Sequence, residues 1–279
     1  MANNVLNLLS VERMEGLAIK MFAAVEKKDF EIVESLLQAK ASANFSDRES
    51  FTPLMYACSY GDLDIAKILV KSKADPAYTA ADGSSSLICA LGEGFLDVSQ
   101  FLLSCPGVGV NNKANEMQPL FIAVQEEKHV SAKFLLDQKA DPNLSSMDNF
   151  VLSAAAREGN VKIADLLVEY GADPNKGNLK TNATALFVAV QKLDKDMIRT
   201  LIQAKSNVDH ENIHGLTPIQ FAMSKDADVG ILELLIKHTS CINRTYQLFP
   251  ADMTPLLFAI DCDSPVCVCV CVYVWGGDG

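Results

Sequence analysis

The residues best equipped for chemistry in this chain are scattered, and their settings favour turns and packing over catalysis. His210 and His214 lie beside Asp209 and Glu211, which are ligand types at a spacing a metal ion accepts. They fall on a predicted hairpin tip, so exposed turn residues account for them better. His129 and His238 are isolated helix-surface positions. Eight cysteines occur: Cys58, Cys89, Cys105, Cys241, Cys262, Cys267, Cys269 and Cys271. The first two sit at or beside small-residue positions, where a buried thiol packs as a small apolar group. Reduced packing residues in a cytosolic or nuclear protein are therefore expected. Gly92-Glu93-Gly94 opens like a dinucleotide fingerprint but lacks the third glycine, and the phosphate-loop, G-x-S-x-G and H-E-x-x-H patterns are absent. The triplets Asn182-Ala183-Thr184 and Asn243-Arg244-Thr245 resemble glycosylation sites, but the start of the chain lacks the basic n-region of a secretory leader. The expectation is a protein with no catalytic residues, no cofactor and no metal, and so not an enzyme.

The elements that carry these residues repeat. A leucine or isoleucine recurs as Leu54, Leu87, Leu120, Leu152, Leu186, Ile219 and Leu256, at gaps of 33, 33, 32, 34, 33 and 37 residues, and Met21 lies 33 before Leu54. A period near 33 signals a repeat architecture, whose core grows along one axis. Stacked units present a long surface rather than a pocket.

One unit can be read physically. Thr52 is placed to cap a helix, with Pro53 at the first helical position, where no N–H is needed. Leu54 and Ala57 share a face, and Ala57-Cys58 are small enough to let a neighbouring helix approach. Gly61 ends the helix in a left-handed turn. Ile65, Ile68 and Leu69 then follow at helical core spacing. Ala74-Asp75-Pro76 turns the chain, and Tyr78 to Ser84, with Asp82-Gly83 inside, predicts a hairpin tip. Helices this short do not stand alone, so each unit must bury its face on the next.

These motifs resemble the ankyrin repeat over roughly residues 17 to 262. The family's Thr-Pro-Leu opening appears as Thr52-Pro53-Leu54 and Thr254-Pro255-Leu256, and nearly so as Thr217-Pro218-Ile219. Its Gly-Ala-Asp ending appears as Gly171-Ala172-Asp173-Pro174-Asn175, with variants at Ala140-Asp141-Pro142-Asn143 and Ala41-Ser42-Ala43-Asn44. The resemblance implies an all-α repeat solenoid of helix-turn-helix units with a β-hairpin or loop, about seven full repeats plus a truncated eighth. The expected layout is an N-terminal helical cap over 1–18 and an array over 19–253, with units starting near 19, 52, 85, 118, 150, 184 and 217. A truncated repeat over 254–265 and a Cys/Val tail over 266–279 complete it. The sequence departs from the pattern at the first-helix glycine, replaced by Lys28, Glu127, Leu193 and Asp226, and at the second, replaced by Lys40, Lys73, Lys139, Lys205 and Thr239. Each replacement either forces a Cβ into a left-handed turn or shifts the turn. Asn143 and Asn175 loosely resemble family asparagines that a dioxygenase hydroxylates, and the alternative is an asparagine that stabilises the turn through its own side chain.

The tail after Pro265 breaks the pattern with Val266-Cys267-Val268-Cys269-Val270-Cys271. A β-strand, a metal-binding or lipidated tail, and translated non-coding sequence all fit. Alternating Cys-Val is what a (TG)n dinucleotide repeat encodes, and the codons of Val266 begin with GT, as introns do. On the last reading the natural protein continues past residue 265.

Binding is expected on the concave side of the stack. The resemblance places there the pairs Glu26-Lys27, Ser59-Tyr60, Gly92-Glu93, Gln125-Glu126, Arg157-Glu158, Gln191-Lys192 and Ser224-Lys225. The column is acidic in the middle, at Glu93, Glu126 and Glu158, and basic toward its ends, at Lys27, Lys192 and Lys225. A basic or donor-rich peptide segment suits the centre, with Tyr60 as an aromatic anchor. The net charge of −11 argues against generic nucleic-acid binding, and no apolar run approaches the ~20 residues of a membrane helix. The reading is a monomeric, non-enzymatic adaptor of the cytoplasm or nucleus that binds other proteins. The alternative is the regulatory part of a larger kinase, ubiquitin ligase or cation channel.

Overall fold

The computed structural model describes residues 16–112, 118–225 and 227–239. The expected cap over 1–18 therefore lies largely, and the truncated repeat and the Cys/Val tail wholly, outside the described residues. The chain divides into two compact units, residues 1–140 and 141–279.

In the first unit, helix α1 covers residues 16–26. It is followed by α2 (Phe30–Gln38), α3 (Pro53–Ser59), α4 (Leu63–Lys71), α5 (Ser86–Glu93), α6 (Leu96–Leu103), α7 (Pro119–Gln125) and α8 (His129–Asp137). Successive first helices α3, α5 and α7 pack side by side, as do the second helices α2, α4 and α6. The buried side chains that join the two layers include Leu54, Ile65, Leu69, Leu102 and Leu135. Ile68, expected in the core, is only half-buried and lines an outer groove with Phe30.

The second unit opens with a hairpin of β1 (Ser145–Ser146) and β2 (Asn149–Phe150), paired antiparallel with Ser145 opposite Phe150. Helices α9 (Val151–Glu158), α10 (Val161–Glu169), α11 (Ala185–Gln191), α12 (Lys195–Gln203), α13 (Pro218–Ser224) and α14 (Val229–Ile236) follow. Here α9, α11 and α13 form one layer and α10, α12 and α14 the other. Leu167, Leu186 and Met197 are among the fully buried side chains between them.

Local chemistry sets the helix ends. The Thr52 hydroxyl accepts from the Met55 N–H at 3.3 Å, with Pro53 at the first position. Thr217 forms a reciprocal capping box with Gln220. Second helices start on Asp29, Asp62, Asn160, Asp194 and Asp228, whose side-chain oxygens each accept a backbone N–H. The left-handed turn survives most losses of glycine. Lys28, Glu127 and Leu193 take φ of 55°, 56° and 55°, and Lys40, Lys73, Lys139 and Lys205 lie between 63° and 71°. Thr239 does not follow them: its N–H reaches the Leu235 carbonyl four residues back, while Lys205 N–H meets Ile202 O three back. Asp226 lies outside the described residues. At Gly61 space is a further constraint, because a Cβ there would sit 2.5 Å from the Phe95 ring, which would have to shift.

The hairpins are short. At 78–84 the pairing reduces to one bridge, Thr79 opposite Ser85, with Ala80 N–H donating to Ser84 O at 2.8 Å. The pairing stops because Ser85 is already the cap of α5.

Candidate protein-binding surface

Every described residue of the predicted column sits at the C-terminal end of a first helix. In the first unit, Glu26 ends α1, Ser59 and Tyr60 close α3, Glu93 ends α5, and Gln125 and Glu126 close α7. Glu26, Lys27, Glu93, Gln125 and Glu126 are exposed, while Ser59 and Tyr60 are half-buried. Ser59 is already engaged, its hydroxyl donating to the Tyr56 carbonyl at 2.9 Å. Glu126 extends over Gly92, with Oε2 3.6 Å from where a Cβ would stand, which brings the carboxylates of α5 and α7 to neighbouring helix ends. A helix C-terminus is the negative end of the macrodipole, so acidic side chains there gain nothing from the helix itself.

Tyr60 belongs to a larger constellation that the sequence did not reveal. Phe22 meets Tyr56 edge-on at 5.6 Å between centroids, Phe51 lies 5.9 Å from Tyr56, and Tyr60 lies 6.2 Å from it. The Tyr56 hydroxyl donates to Asp47 Oδ2 at 2.7 Å, and Asp47 Oδ1 accepts from the Glu49 and Phe51 amides. Burial pushes the Asp47 carboxyl up, but these three donors outweigh it and hold it below its ordinary value of 3.8. The bond to Asp47, burial and nearby negative charge push Tyr56 up to about 12. Lys28 Nζ donates to the Tyr60 carbonyl at 2.7 Å and fixes the end of α3. The result is a groove of 490 Å³ walled by Ile19, Phe22, Tyr56 and Tyr60, with Glu26 and Asp47 supplying its charge.

In the second unit, Arg157 and Glu158 end α9, Gln191 and Lys192 close α11, and Lys225 caps α13. All five are exposed. Lys225 lies over the Phe221 ring at 5.6 Å. A groove of 400 Å³ runs between these helix ends and the preceding loops, lined by Arg157, Gln191 and Lys192 together with Asn149, Asn178 and Thr181.

The other chemical candidates are absorbed by the scaffold. His210 Nε2 bonds the Asn182 carbonyl at 3.0 Å, and the backbone N–H of His214 donates to Asn212 Oδ1. Among the described residues no three His, Cys, Asp or Glu side chains converge as metal ligands. Asn143 donates from Nδ2 to Gly171 O and accepts at Oδ1 from Asp173 N–H, both at 2.8 Å. Asn175 accepts from Asn207 N–H at 2.6 Å. Through these side-chain bonds each asparagine ties its turn to the turn of the next repeat. Cys58, Cys89 and Cys105 are free thiols. Burial pushes Cys58 and Cys105 up and Cys89 to about 12, so all three stay protonated at neutral pH. No helix among the described residues is long and apolar enough to cross a membrane.

Comparison with known proteins agrees with this geometry. Residues 20–114 and 100–178 match the family model for ankyrin repeats (three copies), together more than half of the chain. The putative ankyrin repeat protein FPV031 of fowlpox virus (strain NVSL) is 30% identical over 149 residues, covering 52% of this chain and 44% of that protein. Ankyrin repeat and SOCS box protein 6 of Homo sapiens is 27% identical over 128 residues, covering 45% of this chain and 30% of that protein. The crystal structure of the ankyrin repeat domain of Bcl-3, a member of the IkappaB protein family, superposes with a TM-score of 0.69 at 19% identity, covering 78% of this chain and 97% of that one. The chain spans less than half the length of the curated relatives it matches.

Proposed function

We propose that this chain, which belongs to the ankyrin-repeat family, is a non-enzymatic adaptor that holds a basic segment of a partner protein against the helix ends of its first unit. The observation that carries the reading is the groove of Phe22, Tyr56 and Tyr60 charged by Glu26 and Asp47, in the same column as Glu93 and Glu126. Aromatic faces and carboxylates together favour lysine and arginine side chains, through cation–π contact and charge. The adaptor acts as a monomer in the cytoplasm or nucleus, a placement supported by the free thiols Cys58, Cys89 and Cys105. The test is recovery of partners from cell extract by wild type, by Glu93→Lys with Glu126→Lys, and by Tyr60→Ala. Loss of a shared set of partners in the variants is expected, and unchanged recovery of every partner contradicts the reading.

A second reading is supported by the coverage of the relatives, where the matched stretch is 30% of the SOCS box protein. On it, the array is the regulatory portion of a larger enzyme or channel. Sequencing the full-length transcript separates the two, since the second reading requires a catalytic or membrane segment downstream of residue 265.

A further inference from the structure

We propose that the second unit carries a docking site of opposite preference, for an acidic segment of a partner protein whose apolar residues rest on the loop tips. The groove at Arg157, Gln191 and Lys192 is lined by two cations, three amides and a hydroxyl, with no carboxylate, on a chain whose net charge is −11. Two of the amides are locked in place. Asn178 donates from Nδ2 to Asn149 Oδ1 at 2.8 Å, and its own Oδ1 accepts from the Lys180 and Thr181 amides. The side chains of Arg157, Gln191 and Lys192 are exposed and unpaired among the described residues. Arg157 and Glu158 form no ion pair, consistent with adjacent helical residues not facing each other. A guanidinium fork and an ammonium at neighbouring helix ends suit carboxylates.

A separate observation supplies the apolar half. Met147, Leu179 and Ile213 stand at successive loop tips and are 57%, 64% and 59% exposed. The tips form one row, since Leu179 N–H donates to Asp148 O and Ile213 N–H to Thr181 O, both at 3.0 Å. Loop tips are ordinarily polar, and a row of exposed apolar side chains marks a contact surface. Asn149, Asn178 and Thr181 belong both to these loops and to the groove wall, so a single extended segment reaches both. Its alternate side chains point to opposite sides, which separates acidic from apolar positions.

The site shares no residue with the basic-segment reading of the first unit, so the two fail independently. The full chain is titrated with three labelled peptides: alternating Glu/Leu, alternating Gln/Leu, and phosphoserine/Leu. The expected order is Glu/Leu tightest, with affinity falling as salt rises. Arg157→Glu with Lys192→Glu is expected to weaken Glu/Leu binding by about tenfold or more, and Glu93→Lys with Glu126→Lys to leave it unchanged. Met147→Ser, Leu179→Ser and Ile213→Ser together are expected to weaken both Leu-containing carboxamide and carboxylate peptides. All the substituted residues are exposed, and a thermal melt by circular dichroism verifies folding. Equal binding of Glu/Leu and Gln/Leu, or unchanged affinity in the Arg157/Lys192 variant, overturns the proposal. Tighter binding of the phosphoserine peptide overturns the choice of a carboxylate partner, and unchanged binding in the triple-serine variant overturns the role of the tips.

Discussion

The grooves of the two units are built on the same backbone and loaded differently. Tyr60 in the first unit and Lys192 in the second are both caps that close a first helix. Around Tyr60 gather aromatic rings, Glu26 and Asp47; around Lys192 gather Arg157 and a set of amides. Beneath them the packing is alike, with Leu54 and Leu186 each fully buried. The contrast separates two kinds of position. Leucines, caps and turns set the frame, and the one or two residues at the end of each first helix set what the frame offers a partner.

That separation predicts equal losses where the frame is damaged. Leu54→Ala and Leu186→Ala should each cost about 2–5 kcal/mol, measured by urea unfolding; a large difference between them would mean that the two frames are not equivalent. The caps sharpen the comparison. Thr52→Ala should cost about 1 kcal/mol, because its hydroxyl serves Met55 N–H. Thr184 makes no side-chain cap bond and its hydroxyl is buried without a partner. Thr184→Val should therefore be neutral or stabilising in the same measurement. Smaller still, Lys139→Gly and Lys205→Gly should each stabilise by a few tenths to about 1 kcal/mol. The left-handed penalty of a side chain is relieved, and part of the gain is returned as the entropy of glycine.

The least effect on stability, and the most specific to the first unit, is electrostatic. Asp47→Asn should bring Tyr56 down from about 12 toward the ordinary 10.0, visible as an earlier tyrosinate transition in an absorbance titration. The sign follows from linkage. With its folded value raised, Tyr56 contributes stability that is complete below pH 10 and lost as pH rises toward 12. Asp47, held below 3.8 in the folded state, contributes stability that is present above that value and lost as pH falls through its folded value. The Asn variant should lose the Asp47 dependence and show a smaller Tyr56 one, because burial and Glu49 still raise Tyr56, and no matching change should occur when Arg157 or Lys192 is replaced.

The frame was legible because it is written locally and repeatedly: the leucine period, Thr-Pro openings and turn residues all recur within one unit. Even the glycine replacements were legible as positions, although only the structure shows that Lys28, Glu127 and Leu193 keep the left-handed turn while Thr239 does not. The aromatic groove was not legible. Phe22, Asp47 and Tyr56 come from separate segments, and Tyr56 sits inside the repeating motif, where it reads as scaffold. The asparagines were legible as turn-stabilising side chains, but their partners in the next repeat were not. Asn143 and Gly171 are 28 residues apart, and such pairing is set by how repeats stack, not by the local turn. The hairpins, legible from their turn residues, are short, since the caps of the following helices leave little chain for a second rung of pairing.

The central claim is that neighbouring helix ends give the two units opposite preferences. The measurement that tests it most directly is calorimetric titration of a Lys/Leu and a Glu/Leu peptide into wild type, the Glu93→Lys/Glu126→Lys variant and the Arg157→Glu/Lys192→Glu variant. The account predicts a crossed result, in which the first variant loses the basic peptide and keeps the acidic one, and the second does the reverse. Parallel loss of both peptides in either variant, or no loss in either, would contradict it.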